Sequence, residues 1–229
     1  MDYLLHHTLL SSASKQEDKE ALVHGEDRLS YSDVATKSGA LARGLKDAGL
    51  NRGDRVGIYL NTSIQQVISI YGTSQASAVF VPINTMLFPE QVAHIANDCH
   101  LKALITTTAG LNSLKDILEQ CPSLKFIVVV EDEEMPKCSL RTHSFASLSG
   151  GTPLTRADDL AMGNDLAALI YTSGSTGKPK GVMLSHSNIL EGASIVSDYL
   201  SISEDDRILA ALPFSFDAGL NQLTTAFQQ

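Results

Sequence analysis

Cysteine is scarce in this chain, with three among 229 residues, at positions 99, 121 and 138. An odd number without metal-ligand spacing argues against a disulfide framework and against a cysteine-based metal site, so reduced thiols in a cytoplasmic protein are expected. Positive charge is also short. Lys and Arg number 17 against 26 Asp and Glu, a net charge of −9, which sets the chain against non-specific nucleic-acid binding. No apolar run approaches the length of a membrane span; the longest, such as Phe126–Val130, suit buried strands. At the start, Asp2 stands where a secretory signal needs basic residues. Internal repeats and low-complexity segments are absent too. What remains is a globular composition, 43% hydrophobic and 19% charged, able to bury a substantial core in one large domain or two small ones.

Two periods alternate along the chain. Arg28–Tyr31 reads as a short strand, and Ser32 as the N-cap of a helix carrying Val34, Leu41, Leu45 and Ala48, with Gly49 just past its end. Arg55–Leu60 and Val79–Ile83 read as strands, with a helix opened by Ser63 between them. Pro89 and Glu90 start another helix, where an early proline costs little. Ala103–Thr106 and Phe126–Val130 are further strands, separated by a helix over Leu111–Gln120. The polar stretch Glu131–Met162 reads as a long connection with one or two short strands. A helix from Asn188 to about Leu200, a strand at Ile208–Leu212 and a helix over Ala218–Gln229 follow. Strand-helix-strand repetition with continuously apolar strands predicts an α/β fold with layered, mostly parallel sheets covered by helices. The pair His6-His7 reads as a surface segment rather than a metal site, and the acids Asp205-Asp206 and Glu131–Glu134 as solvated surface.

The most informative stretch is Tyr171-Thr-Ser-Gly-Ser-Thr-Gly-Lys-Pro-Lys-Gly181, behind the apolar run Leu166–Ile170. Glycines let a backbone approach a ligand and turn its N–H groups inward, hydroxyls donate to phosphate oxygens, and ammonium groups offset their charge. The combination suits a polyphosphate. A Walker loop is excluded twice: Thr172 stands where its first glycine belongs, and Pro179 follows Lys178 where a hydroxyl is needed. The glycines at 174, 177 and 181 also miss the dinucleotide spacing. Because Val182–Ser185 reads as a second strand, the expected setting is a strand-loop-strand hairpin.

Thr172–Gly181 resembles, at every position, the signature of the AMP-forming adenylating enzymes, the superfamily of acyl-CoA synthetases, amino-acid adenylation domains and luciferases. His186 and Asn188 fit the S-H-x-N segment that often follows it. The resemblance implies ATP-dependent activation of a carboxylic acid to an acyl-adenylate, aided by magnesium, with transfer to coenzyme A or to a carrier protein's phosphopantetheine. Amino-acid adenylation for a carrier-protein thiol, and a non-catalytic nucleotide-binding remnant, are the alternatives. By the same resemblance Thr172, Ser173, Ser175 and Thr176 supply hydroxyls, Gly174 and Gly177 admit the backbone, and Lys180 contacts phosphate or stabilises the loop, while Lys178 reads as a solvated charge. Leu212–Asp217 resembles the segment that lines the acid pocket, placing Phe216 and Asp217 there. Phe216-Asp217 resembles the F-D-x-S segment of amino-acid adenylation domains, with Gly219 in place of its serine; alternatively Asp217 caps the following helix. His186 reads as a satisfied structural histidine. The superfamily's enzymes are about twice this length or more, so residues 1–229 are expected to form the N-terminal portion of the AMP-binding domain. The remainder of that domain, the small lid domain and the main catalytic lysine then lie beyond, and these residues alone are expected to be inactive.

Overall fold

A computed structural model of the protein describes residues 2–131, 138–173 and 179–228, Ser173 by its backbone alone. The first element is a helix, α1 (Leu5–Lys15), which periodicity did not announce. A hairpin, β1 (Glu20–His24) and β2 (Asp27–Ser30), leads into α2 (Tyr31–Asp47). The cap of α2 is Ser30 rather than Ser32: its hydroxyl accepts from the N–H of Asp33, and Asp33 returns a carboxylate oxygen to the N–H of Ser30. The reciprocal bond decides the choice between the two serines. Gly49 sits past the end of α2 at φ +107°, where a side chain would be strained.

Then follow β3 (Arg55–Tyr59), α3 (Ile64–Gln75), β4 (Val79–Pro82), α4 (Pro89–Asp98), β5 (Leu101–Thr106), α5 (Thr108–Leu118) and β6 (Phe126–Val129). Ser63 caps α3 as expected. Helix α5 begins three residues before Leu111 because Thr107 caps it through the N–H of Gly110. The long connection contributes β7 (Arg141–Ser144) and the short helix α6 (Phe145–Ser149). The chain ends in β8 (Leu166–Ser173), β9 (Pro179–Ser185), α7 (His186–Leu200) and α8 (Asp217–Gln228).

Seven strands form one sheet in the order β7-β6-β5-β3-β4-β8-β9. All neighbours run parallel except β8 and β9, an antiparallel pair at one edge. Alternation along each strand divides the core. Ile58, Phe80, Ile105, Val128 and Ile170 face α1, α2, α3 and α8, while Val79, Val81, Leu104, Ile127 and Leu169 face α4 and α5. The expected strand at Ile208–Leu212 does not form. No strand among the described residues pairs with it; Leu209 is 81% exposed, and the side chain of Gln222 bonds the carbonyl of Leu209 and the N–H of Leu212 instead. A strand needs a partner as well as an apolar pattern.

Candidate functional site

The expected strand-loop-strand is present as β8 and β9. Their register sets Ser173 opposite Pro179, Thr172 opposite Lys180 and Tyr171 opposite Gly181. Thr172 and Lys180, both exposed, therefore stand side by side at the loop end of the hairpin. Gly174, Ser175, Thr176, Gly177 and Lys178 lie outside the described residues, as does the side chain of Ser173.

The hairpin leans on α4. The Nε2–H of His94 donates to the carbonyl of Pro179 at 3.2 Å, and the hydroxyl of Tyr171 donates to Oδ2 of Asp98 at 2.5 Å. Burial, reinforced by the Asp98 carboxylate, pushes the Tyr171 phenol well above its ordinary value, so it remains a donor. A Cβ on Gly181 would stand 3.1 Å from Cζ of Tyr171. The final glycine of the signature thus leaves room for the ring across the strand. Periodicity and motif had given His94, Asp98 and Tyr171 no role; the available signal was the i, i+4 spacing of the first two.

The S-H-x-N segment has a local explanation. Ser185 and Asn188 form a reciprocal cap of α7: the hydroxyl of Ser185 accepts from the N–H of Asn188, and Oδ1 of Asn188 accepts from the N–H of Ser185. His186 between them is 1% exposed, and its Nδ1 accepts from the N–H of Leu5, the first residue of α1. It is a satisfied structural histidine, as expected, and it serves a helix 181 residues away.

The pair His6-His7 is not on the surface. His6 is 1% and His7 7% exposed, and their Nε2–H groups donate to the two oxygens of Asp159 at 2.9 and 2.7 Å. Nδ1 of His6 accepts from Ser74 and Nδ1 of His7 from the N–H of Tyr3. Apolar α1 docks on the core, and this carboxylate satisfies the polar groups carried in with it. Burial holds His6 below the ordinary imidazole range. Burial alone would raise Asp159, but the two imidazole donors outweigh it and hold the carboxyl well below its usual range. His6, His7 and Asp159 are also, among the described residues, the one cluster close enough to share a metal ion. Their spacing is that of hydrogen bonds, and Nδ1 of His7 already fixes its proton on Nε2.

A pH dependence follows from His186. Burial, with His6 second, lowers its pKa to about 4, whereas in an unfolded chain it is about 6.5. Between these values the unfolded chain binds the proton and the folded chain does not. The stabilisation is complete above pH 6.5 and is lost as pH falls to 4, by on the order of 3 kcal/mol. His6 adds to the slope in the same direction. Urea unfolding at a series of pH values should show this decline, and His186→Gln, which keeps an acceptor without titrating here, should flatten part of it.

Phe216 and Asp217 lie on a separate element. The side chain of Phe216 is 50% exposed, and its N–H donates to the carbonyl of Pro213. Asp217 is the first residue inside α8 rather than its cap, so its exposed carboxylate lies beside the positive end of the helix. No hydrogen bond or ion pair ties that carboxylate to the other described residues, and none joins Phe216 or Asp217 to the hairpin.

The AMP-binding enzyme family matches residues 9–229. Tyrocidine synthase 1 of Brevibacillus parabrevis is 31% identical over 97% of this chain, which spans 19% of that protein. Among solved structures, the anthranilate CoA ligase AuaEII in complex with anthranoyl-AMP matches 99% of the chain at TM-score 0.91 and 27% identity; the chain covers 43% of it. A putative long-chain-fatty-acid CoA ligase from Rhodopseudomonas palustris CGA009 shares the fold at TM-score 0.89 and 24% identity over 99% of the chain, which covers 56% of that ligase. With the signature hairpin in place and the match running through nearly its whole length, the chain belongs to the family of AMP-binding enzymes.

Proposed function

We propose that the chain carries the phosphate grip and part of the acid pocket of an enzyme that activates a carboxylic acid with ATP. The acid joins the α-phosphate, pyrophosphate leaves, and the acyl group passes from AMP to a thiol of coenzyme A or of a carrier protein. The observation that carries this reading is the cross-strand pair of Thr172 and Lys180 at the loop end of a sheet-supported hairpin. A hydroxyl donor and an ammonium side by side suit phosphate oxygens. The similarity to a CoA ligase holding an acyl-AMP supports it.

The nucleophile is already an anion, so no general base is required. The barrier lies in bringing a carboxylate to a negatively charged phosphate, which positioning and positive charge relieve. Thr172 orients, and Lys180 neutralises. Magnesium, when bound, supplies further positive charge; among the described residues no cluster of acids gathers to hold it, so none is assigned as its ligand. The remaining part of the domain, the lid and the catalytic lysine fall outside these 229 residues in this reading.

A second reading, amino-acid adenylation, is favoured by Asp217. Its exposed carboxylate, next to Phe216, is available for an α-ammonium, and the similarity to tyrocidine synthase 1 points the same way.

One set of variants in the intact enzyme tests both. Replacing Thr172, Ser175, Thr176 and Lys180 together by alanine should weaken ATP binding in calorimetry by about 100-fold or more, several charge-assisted hydrogen bonds being lost. Unchanged affinity ends the phosphate-grip reading. Asp217→Ala should abolish amino-acid-dependent ATP–pyrophosphate exchange if the substrate is an amino acid, and barely alter exchange driven by a fatty acid.

A further inference from the structure

We propose that His94 and Asp98 of α4 clamp the two arms of the hairpin and so set where Thr172 and Lys180 stand; the consequence for ATP rests on the phosphate-grip reading above. His94 and Asp98 are four residues apart, hence on one face of a helix. Each takes a different strand. His94 bonds the carbonyl of Pro179 at the start of β9, and Asp98 takes the phenol of Tyr171 in β8. These two attachment points bracket the pair Thr172–Lys180 from either side in the register, since Pro179 pairs with Ser173 and Tyr171 with Gly181.

The arrangement answers a mechanical need. Near its loop end the hairpin has little backbone support from the rest of the sheet: β8 is buried through Ala167–Ile170, but its one register pair with its parallel neighbour β4 is Phe80 with Ala168, lower on the strand than Thr172. Strand β9 is the edge of the sheet, with Val182 and Met183 exposed. The loop end of the hairpin therefore depends on side-chain contacts for its position. Groups that bind a charged ligand lose effect when displaced by about an ångström. His94, Asp98 and Tyr171 are positioning residues: they reach the ligand only through Thr172 and Lys180.

The two contacts differ in what they tolerate. Asp98 must accept, because Tyr171 donates, so an amide oxygen can replace its carboxylate. His94 must donate to a carbonyl, so a glutamine amide can replace its imidazole. Conservative and disruptive variants can thus be told apart. Gly181 adds a steric requirement, because any Cβ there meets the Tyr171 ring.

The test uses the intact enzyme with two readouts: amide hydrogen exchange of the hairpin, residues 166–173 and 179–185, and ATP affinity by calorimetry. Asp98→Ala, Tyr171→Phe and His94→Ala should each speed amide exchange in the hairpin about tenfold while leaving β3, β5 and β6 unchanged, and should weaken ATP binding three- to tenfold. Asp98→Asn and His94→Gln should stay within twofold of wild type. The double variant Asp98→Ala with Tyr171→Phe should be no worse than either single change, because both delete one bond. Unaltered hairpin exchange in the alanine variants, or acceleration spread over the whole sheet, overturns the clamp. An intact wild-type enzyme that fails to bind ATP overturns the phosphate-grip reading instead, and hairpin exchange then still decides the clamp.

Discussion

Serine at position 219 is expected to destabilise the chain by about 3 kcal/mol or more, although serine is what the F-D-x-S pattern calls for there. A Cβ on Gly219 would lie 2.1 Å from the carbonyl oxygen of Pro213, 2.7 Å from its carbon and 2.8 Å from the carbonyl oxygen of Leu212. All three atoms are backbone, so no rotamer change relieves the overlap. Relief requires either the turn Leu212–Phe216 or the first turn of α8 to move, and buried Phe214 and Leu220 fix both. Gly219→Ala should cost nearly as much, since the clash begins at Cβ. Ala218→Ser, at the exposed neighbour, should change stability by less than about 0.5 kcal/mol. Urea unfolding of the three variants measures this, and a Gly219→Ser chain within 1 kcal/mol of wild type, on the order of one lost hydrogen bond, would refute the steric account. The departure from the pattern is then a requirement of this chain's own backbone at that turn.

Removing the carboxylate of Asp159 should be comparably damaging, with a loss of about 3–5 kcal/mol. Asp159→Ala leaves the Nε2–H groups of His6 and His7 buried without their acceptor and opens a gap between α1 and the turn Arg156–Asp158. The Arg156 guanidinium, bonded to Asp2, Ser11 and the carbonyl of His7, holds the same helix from outside, yet its ion pair with Asp2 is partly exposed and contributes little. Asp159→Asn should recover only part of the loss, because its amide nitrogen cannot accept from the second imidazole. Equilibrium unfolding at pH 7.5 is the measurement. A loss below 1 kcal/mol, about one exposed ion pair, would mean that the apolar face of α1 alone secures it.

The parallel sheet was legible because its strands carry continuous apolar runs bounded by caps and glycines, and Ser63, Gly49 and Pro89 mark helix ends by local rules alone. The hairpin was legible because Pro179 and the apolar Val182–Leu184 exclude a helix after the loop. Helix α1 was not. Two histidines and a threonine interrupt its apolar face; the histidines are satisfied by Ser74 and Asp159, residues far away in the chain, and Thr8 by the carbonyl of Leu5. Ile208–Leu212 failed for the opposite reason: its pattern is that of a strand, but pairing depends on a neighbour that local pattern does not report. Within the proposed phosphate grip, Thr172 and Lys180 are marked by the signature. His94 was hidden because its partner is a main-chain carbonyl, which any residue at position 179 would present.

The contact of α1 with α8 has a consequence for synthesis. The hydroxyl of Ser12 donates to the carbonyl of Phe227, whose ring packs on Tyr31 and Tyr71. Early-made Leu5 and Leu9 belong to the same buried cluster as this late-made phenylalanine. At ordinary translation speeds, roughly ten to forty seconds separate their emergence from the ribosome. Through that interval a greasy nascent segment waits without its final cover.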